Sequence, residues 1–292
     1  MKSFDYQLPH DLKEAVSLLE TRGEMARVIG GGTALLALMK ERVFSPECLV
    51  DLQGISDLKF LLLADDELRV GAMTTLTEIE RSPVVQRSIP FLAEVVGKVA
   101  SRRLRNQITL GGCLAYGETA SDPPAACLVL DASVRAVRKG HSRTIEVKDL
   151  FVDHYETCLK AGEVISEVSI PKVKENSIVG HYKFTPRSMA DKPTLGVAVR
   201  LDLAPDGRTC LDARVAFSNA APTPVRSFKA EEALRKSRLE EGAFQAAAEA
   251  ASAEASPPDD VYCSGAYKRE MVKVILPRLL QGMAAGRASR ES

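Results

Sequence analysis

At 292 residues the chain is long enough for about two domains. Its 45% hydrophobic and 27% charged residues are those of a globular protein, which excludes a disordered or collagen-like chain. Lys+Arg and Asp+Glu balance at 39 each, so the basic excess expected of a nucleic-acid binder is missing.

In chain order, Asp11 and Glu14 have capping-box spacing, and Leu12, Ala15, Val16 and Leu19 then recur at helical spacing. Arg27-Val28-Ile29 reads as a short strand, followed by Gly30-Gly31-Gly32-Thr33 and a helix over 34–40. Residues 48–52 and 68–71 read as further strands, and 90–99 as a helix with Pro90 in its first turn. After a charged connector at 172–178 the pattern changes. Strands are predicted over 179–184, 195–203 and 211–217, the last two joined at Asp206-Gly207, a strong turn signal. Helices follow over about 227–236, 241–255 and 264–281, the last with an apolar stripe at Met271, Val274, Ile275 and Leu279 that reads as core packing. An alternating αβ half and a strand-then-helix tail place a domain boundary near 175.

No apolar run approaches the roughly 20 residues that span a bilayer, and the first fifteen residues lack the apolar stretch of a secretory signal. Six dispersed cysteines, without a CxxC pair, fit neither an iron–sulfur cluster nor a disulfide-dense secreted scaffold. They point to reduced thiols in the cytoplasm. His10, His141, His154 and His181 show no metal-binding spacing, so no metal is expected on this chain.

Two segments carry chemistry. Gly30-Gly31-Gly32-Thr33 stands between a strand and a helix, where bare backbone amides suit a diphosphate. Its spacing is neither GxGxxG nor GxxxxGK[ST], and on its own it could equally be a plain turn. The second runs from Arg102 through Asn106, Thr109 and Gly111-Gly112-Cys113 to Ala120-Ser121-Asp122-Pro123. Gly111 and Gly112 again allow close backbone approach, and Asp122 is an acceptor suited to ribityl or ribose hydroxyls. The ordinary fate of Arg102, Arg103 and Arg105 is a solvated face.

The order IGGGT, LRNQITLGG, TASDPPAA, followed by KFTPRSMADKPTLGVAVRL, resembles the FAD-binding medium subunit of the molybdenum hydroxylases. This is the xanthine dehydrogenase and aerobic carbon monoxide dehydrogenase group, and the likeness covers about residues 1–285. It implies an α+β protein with a two-lobed FAD-binding region of the vanillyl-alcohol-oxidase (PCMH) type over 1–175, its lobes at about 1–55 and 56–175. A C-terminal domain of a three-stranded antiparallel sheet and helices would follow over 176–285, then a flexible tail at 286–292. Carried over by position, Ile29, Gly30, Gly31, Gly32, Thr33, Ala34 and Leu35, with Thr109, Leu110, Gly111, Gly112 and Cys113, would wrap the diphosphate and adenosine side of FAD. Asp122 would bond the sugar-alcohol chain. Val99 and Ile165 match apolar positions near the ring systems, Lys183 a cofactor contact, and Asp191-Lys192 the loop over the isoalloxazine.

Several positions depart from the family pattern. Ala34 stands for a common Asp, Cys113 for Asn, Thr119 for Pro, and Tyr116 for a residue that is often His. Lys192 replaces an apolar or aromatic residue; its cation could stabilise a reduced flavin or point to solvent.

The resemblance further implies non-covalent FAD, with the molybdenum cofactor and [2Fe–2S] clusters only on partner subunits. The chain would pass electrons from a small iron–sulfur subunit, itself fed by a large molybdenum subunit, to an external acceptor in an (αβγ)2 assembly. Nucleic acid and a membrane span are not expected. Two rivals are a self-contained FAD oxidoreductase, for which Ser188, Lys192 and Arg187 are the available polar groups, and a non-catalytic nucleotide-binding subunit. Tyr155, Tyr182, Tyr262 and Tyr267 are read as edge residues rather than flavin covers, and His141 as solvated in a hairpin.

Overall fold

The strands before 172 form a three-stranded, a five-stranded and a small two-stranded sheet (Phe151–Asp153 with Glu156–Thr157), and the strand-rich segment beyond 172 forms a four-stranded one. The computed structural model describes residues 2–288, so residues 289–292 of the expected tail lie outside the described residues. The chain forms two compact units. The first contains the chain up to Tyr116 with Ala132–Val152 and Glu156–Pro171; the second contains Gly117–Asp131, Asp153–Tyr155 and the chain from Lys172 onward.

In the first unit a parallel sheet has the order Asp5–Gln7, Cys48–Asp51, Ala26–Ile29. All four residues of its central strand are buried, as parallel strands covered on both faces require. The helix Leu12–Arg22 buries Ala15, Val16 and Leu19 in the same cluster as Cys48 and Val50. Its cap differs by one residue from the expected box. Asp11 accepts from the Glu14 amide, but the Glu14 carboxylate accepts from the amide of His10. A second sheet, antiparallel throughout, has the order Leu61–Ala64, Glu67–Gly71, Val164–Pro171, Ser133–Arg138, His141–Glu146. His141 follows a turn at Gly140 and is exposed, as a solvated hairpin residue should be.

The second unit is built on an antiparallel sheet of the order Ser177–Phe184, Leu195–Leu203, Cys210–Ser218, Val225–Arg226. The two-residue last strand adds an edge to the three expected. Strand period two divides the Leu195–Leu203 strand between two faces. Leu195, Val197, Val199, Leu201 and Leu203 pack with residues of the helices Phe228–Leu234, Glu241–Glu254 and Gly265–Ala288. The other face meets the helix Asp122–Val129, every residue of which is buried. The Ala-rich helix is a packing element: Ala247, Ala248 and Ala251 lie in this core. In the last helix the fully buried stripe is Val272, Ile275, Leu276 and Leu280, one position off the expected set, with Met271 and Leu279 at its margin. Asp206 accepts from the Thr209 hydroxyl and from the amides of Arg208 and Thr209, which makes the expected turn and holds its carboxyl down at about 2. Among the described residues no helix is long and apolar enough to cross a membrane.

Candidate cofactor site

The two glycine stretches meet inside the first unit. The chain leaves the parallel sheet at Ile29 and runs through Gly30–Gly32 into a helix of only six residues, Leu35–Lys40. Gly31 is pressed against the backbone of the second stretch. A Cβ there would stand 1.7 Å from the Gln107 carbonyl oxygen, and one on Gly30 would stand 3.3 Å from Thr109 Oγ1. No side chain fits at Gly31 unless the backbone moves. The amides of Gly31, Gly32 and Thr33 donate to no protein acceptor among the described residues. Those are the groups an anion takes up. The short helix adds little dipole, and Ala34 at its N-cap makes no side-chain bond.

The second stretch works differently. Gly111 and Gly112 are not in a loop but in the first turn of a helix, Leu110–Tyr116. Glycine costs about 1 kcal/mol relative to Ala in such a position. The reason for the pair is space: a Cβ on Gly111 would lie 2.6 Å from Ala72 Cβ, and one on Gly112 2.7 Å from Thr109 Oγ1. Its amides are internally satisfied, Gly111 to the Ala72 carbonyl, Gly112 to Thr109 Oγ1 and Cys113 to the Thr109 carbonyl. The second stretch thus supplies the wall and the first the open donors. Leu110 is fully buried, whereas Cys113 and Tyr116 are half-buried on the same helix. That helix packs against the strand Val164–Pro171, which carries buried Ile165. Val99 is placed by an arginine, its carbonyl accepting from Arg105 at 3.0 Å. Arg105 also takes the Ala100 carbonyl and Glu80, so it is an anchor rather than a solvated charge; Arg102 and Arg103 are exposed.

A support for the first loop escaped the sequence. The Gln53 amide side chain donates to the Gly30 carbonyl at 3.2 Å, and the Gln53 backbone amide donates to Asp51 Oδ1. Tyr6 donates its hydroxyl to the other oxygen of Asp51, and that bond, followed by burial, pushes the phenol up to about 12.

In the second unit Asp122, at the start of its helix, is buried between a lysine and a histidine of one strand. Lys183 Nζ is 3.2 Å from Oδ2, and His181 Nε2 is 3.3 Å from Oδ1. Lys183 also donates to the Met189 carbonyl at 3.0 Å. Asp122 Oδ1 and both ring nitrogens of His181 are buried without a hydrogen-bond partner of good geometry among the described residues. Such orphans are rare in a finished core. His181 carried no signal in the sequence beyond its type. Lys192 does not point free into solvent: it donates to Glu118 Oε2 at 2.6 Å, and Tyr155 donates to Oε1 at 3.0 Å. Asp191 pairs with Arg187 at 3.2 Å, and the Arg187 guanidinium lies 5.0 Å over the Tyr262 ring. Ser188 Oγ accepts from the Ala190 amide. The polar groups named for a self-contained oxidoreductase thus each have a protein partner: Ser188 within its own loop, Arg187 in that loop and at Tyr262, and Lys192 at Glu118. The four tyrosines are all about half exposed, in keeping with edge positions.

Residues 2–173 match the family described as FAD binding domain in molybdopterin dehydrogenase, and residues 180–283 match the CO dehydrogenase flavoprotein C-terminal domain. The chain belongs to the FAD-binding medium subunits of the molybdenum hydroxylases. The carbon monoxide dehydrogenase medium chain of Hydrogenophaga pseudoflava is 32% identical over 95% of this chain and 96% of that one. The nicotine 6-hydroxylase medium subunit of Paenarthrobacter nicotinovorans is 34% identical over 94% and 95%. Among solved structures, carbon monoxide dehydrogenase from H. pseudoflava lacking the Mo-pyranopterin moiety superposes with a TM-score of 0.94 at 33% identity, covering 97% and 98%. Quinoline 2-oxidoreductase from Pseudomonas putida 86 gives 0.89 at 30% identity, covering 98% and 99%.

As a medium subunit the chain combines a PCMH-type FAD-binding domain with the family's C-terminal domain, and it is a component of an oxidoreductase. One family departure gains an explanation. Thr119, where Pro is common, is buried and donates its hydroxyl to the Ala221 carbonyl at 2.7 Å, a bond that Pro could not make. Among the described residues no three His, Cys, Asp or Glu side chains are grouped to hold a metal.

Proposed function

We propose that this medium subunit takes electrons from [2Fe–2S] clusters of a small partner subunit, fed in turn by a large molybdenum subunit, and delivers them to an external acceptor. The close packing of Gly31 on the Gln107 backbone beside three unengaged amides carries the reading, because it fixes a side-chain-free loop whose open donors an anion would complete. The residues present fit FAD. When bound, FAD supplies redox chemistry beyond any side chain, linking one-electron donors to a two-electron acceptor.

The chain's own part is to bind and orient. Gly31, Gly32 and Thr33 would donate to the diphosphate, with Ile29, Gly30, Ala34 and Leu35 shaping the loop and Thr109–Cys113 walling it. Asp122 has a buried free acceptor oxygen for a sugar-alcohol hydroxyl. For Val99, Tyr116, Ile165, Lys183, Asp191 and Lys192 the family resemblance carries the assignment. Attachment would be non-covalent, the assembly (αβγ)2, and the compartment the cytoplasm, the last supported by six cysteines that form no disulfide among the described residues.

Purifying the chain with its two partner subunits tests this. A bound flavin that leaves the polypeptide in acid or SDS is expected, reducible by the molybdenum subunit's substrate only when the iron–sulfur subunit is present. Turnover of a substrate with NAD(P)H or oxygen by the chain alone would overturn the reading in favour of a self-contained enzyme.

A further inference from the structure

Lys268 is fully buried on the last helix, and the functional reading makes no use of it. A buried ammonium is tolerated only when its donors are taken up. Here Nζ bonds Asp260 Oδ2 at 2.7 Å, the Pro258 carbonyl at 2.8 Å and Asn219 Oδ1 at 3.2 Å. Asn219 is the hub. It sits in the left-handed region at φ 63°, tolerated best by Gly, Asn and Asp. Its side-chain nitrogen donates to the carbonyls of Pro193 and Thr194 at 3.2 and 3.1 Å and to Asp260 Oδ2 at 3.3 Å. Its backbone amide donates to the Thr119 carbonyl at 2.9 Å.

The bonds thus end on the chain neighbours of two residues already met: Pro193 adjoins Lys192, and Thr119 adjoins Glu118. Lys192 and Glu118 come from segments 74 residues apart, and they bond each other at 2.6 Å. A plain stability role does not require an ion here, since apolar groups of similar volume often serve a buried site as well or better. The Lys268 cation fixes which way the Asn219 amide points, oxygen to the ammonium and nitrogen to the two carbonyls. We propose that Lys268, acting through Asn219, is a positioning residue that holds Lys192 and Glu118 in register for the flavin side of this unit. This rests on the FAD reading given above.

The test uses the full chain, with Lys268→Met as the main variant and Asn219→Gly as a second that keeps the positive φ. Hydrogen exchange in the cofactor-free chain is expected to quicken by about tenfold in residues 117–121 and 186–194, with the strand Leu195–Leu203 unchanged. In FAD titrations Lys268→Met is expected to weaken binding by about tenfold, falling to less than about twofold in a Lys192→Met background, because the two act through one another. Exchange that rises uniformly, or a tenfold loss that persists undiminished without Lys192, overturns the proposal. If the wild-type chain takes up no FAD, the FAD reading fails, and the exchange pattern alone still decides whether Lys268 positions the two segments.

Discussion

The glycine contact of the first unit and the Lys268–Asn219–Asp260 cluster of the second both bring distant backbone segments together, by opposite means. In the first, side chains are removed: Gly31 lets the Gln107 carbonyl approach to where a Cβ would be. In the second, side chains are inserted, and an ammonium, an amide and a carboxylate bridge segments 49 residues apart. The first device is steric and independent of salt and pH. The second depends on a charge and on every member finding its partner. A diphosphate wants open backbone amides, and only a side-chain-poor loop leaves them bare. A loop that must hold a lysine at a fixed place wants a bonded frame.

The steric device should break hardest. Gly31→Ala forces the Gln107 backbone aside, and we expect a loss of about 3 kcal/mol or more, with failure to retain flavin, by thermal unfolding and absorbance. Gly140→Ala is the matching control. It has the same chemistry in a hairpin turn with open space around it, but a positive φ of 71°, so only about 1 kcal/mol is expected. Equal costs at the two sites would mean that the 107 segment yields freely and that Gly31 is no close contact.

The charged device admits graded tests. Asp131 joins Arg200, Arg214 and Arg226 at 2.7, 2.9 and 3.3 Å, all largely buried guanidinia. Each keeps a second carboxylate, Asp202, Asp212 and Glu231 respectively. Asp131→Asn should therefore cost about 2 kcal/mol rather than the larger penalty of a fully orphaned charge, read as a lower urea midpoint with unchanged slope. A cost below about 0.5 kcal/mol would show the three arginines to be satisfied without it.

Acid acts on the Lys268 cluster. Burial opposes ionisation of Asp260, but the Lys268 ammonium and the amides of Tyr262 and Cys263 outweigh it and bring the carboxyl to about 2 from an ordinary 3.8. Folding thus favours the ionised form. The stabilisation is complete above about pH 4 and is lost as pH falls towards 2. It is on the order of 1–2 kcal/mol once partial exposure is allowed for. Wild type and Asp260→Asn should differ most at pH 5 and converge near pH 2 in urea titrations. A constant gap across that range would separate Asp260 from the titration.

Much of this was readable from residues because its causes are local. Alternation in 195–203, the Asp206-Gly207 turn, the Asp11 cap and the two glycine runs each follow from neighbours within a few positions. Gly111 and Gly112 stand in a helix that glycine disfavours; their reason, contact with Ala72 and Thr109 Oγ1, includes a residue 39 positions upstream and is tertiary. Glu118, His181, Asn219 and Lys268 had no pattern at all, since each finds its meaning in partners from other segments. A long-range polar partner leaves no period in a single sequence. The positive φ at Asn219 is likewise set by the fold, although Asn is among the residues best suited to it.

The smallest stability effect belongs to Lys192, and it separates frame from function. Its side chain is 63% exposed, whereas that of Glu118 is 11% exposed and keeps Tyr155 as a donor. Replacing Lys192 with Met removes one charge-assisted bond in a solvated setting, a change of less than about 1 kcal/mol in unfolding. Flavin reduction is the sensitive measurement. In the proposed placement Lys192 lies near the ring, where a cation stabilises added negative charge, so its loss is expected to lower the midpoint potential of the holo-subunit, while far-UV spectra and urea midpoint stay close to wild type. An unchanged potential with unchanged stability would mean that Lys192 serves only as the counter-ion of Glu118, and that the frame around Asn219 holds a loop rather than a charge.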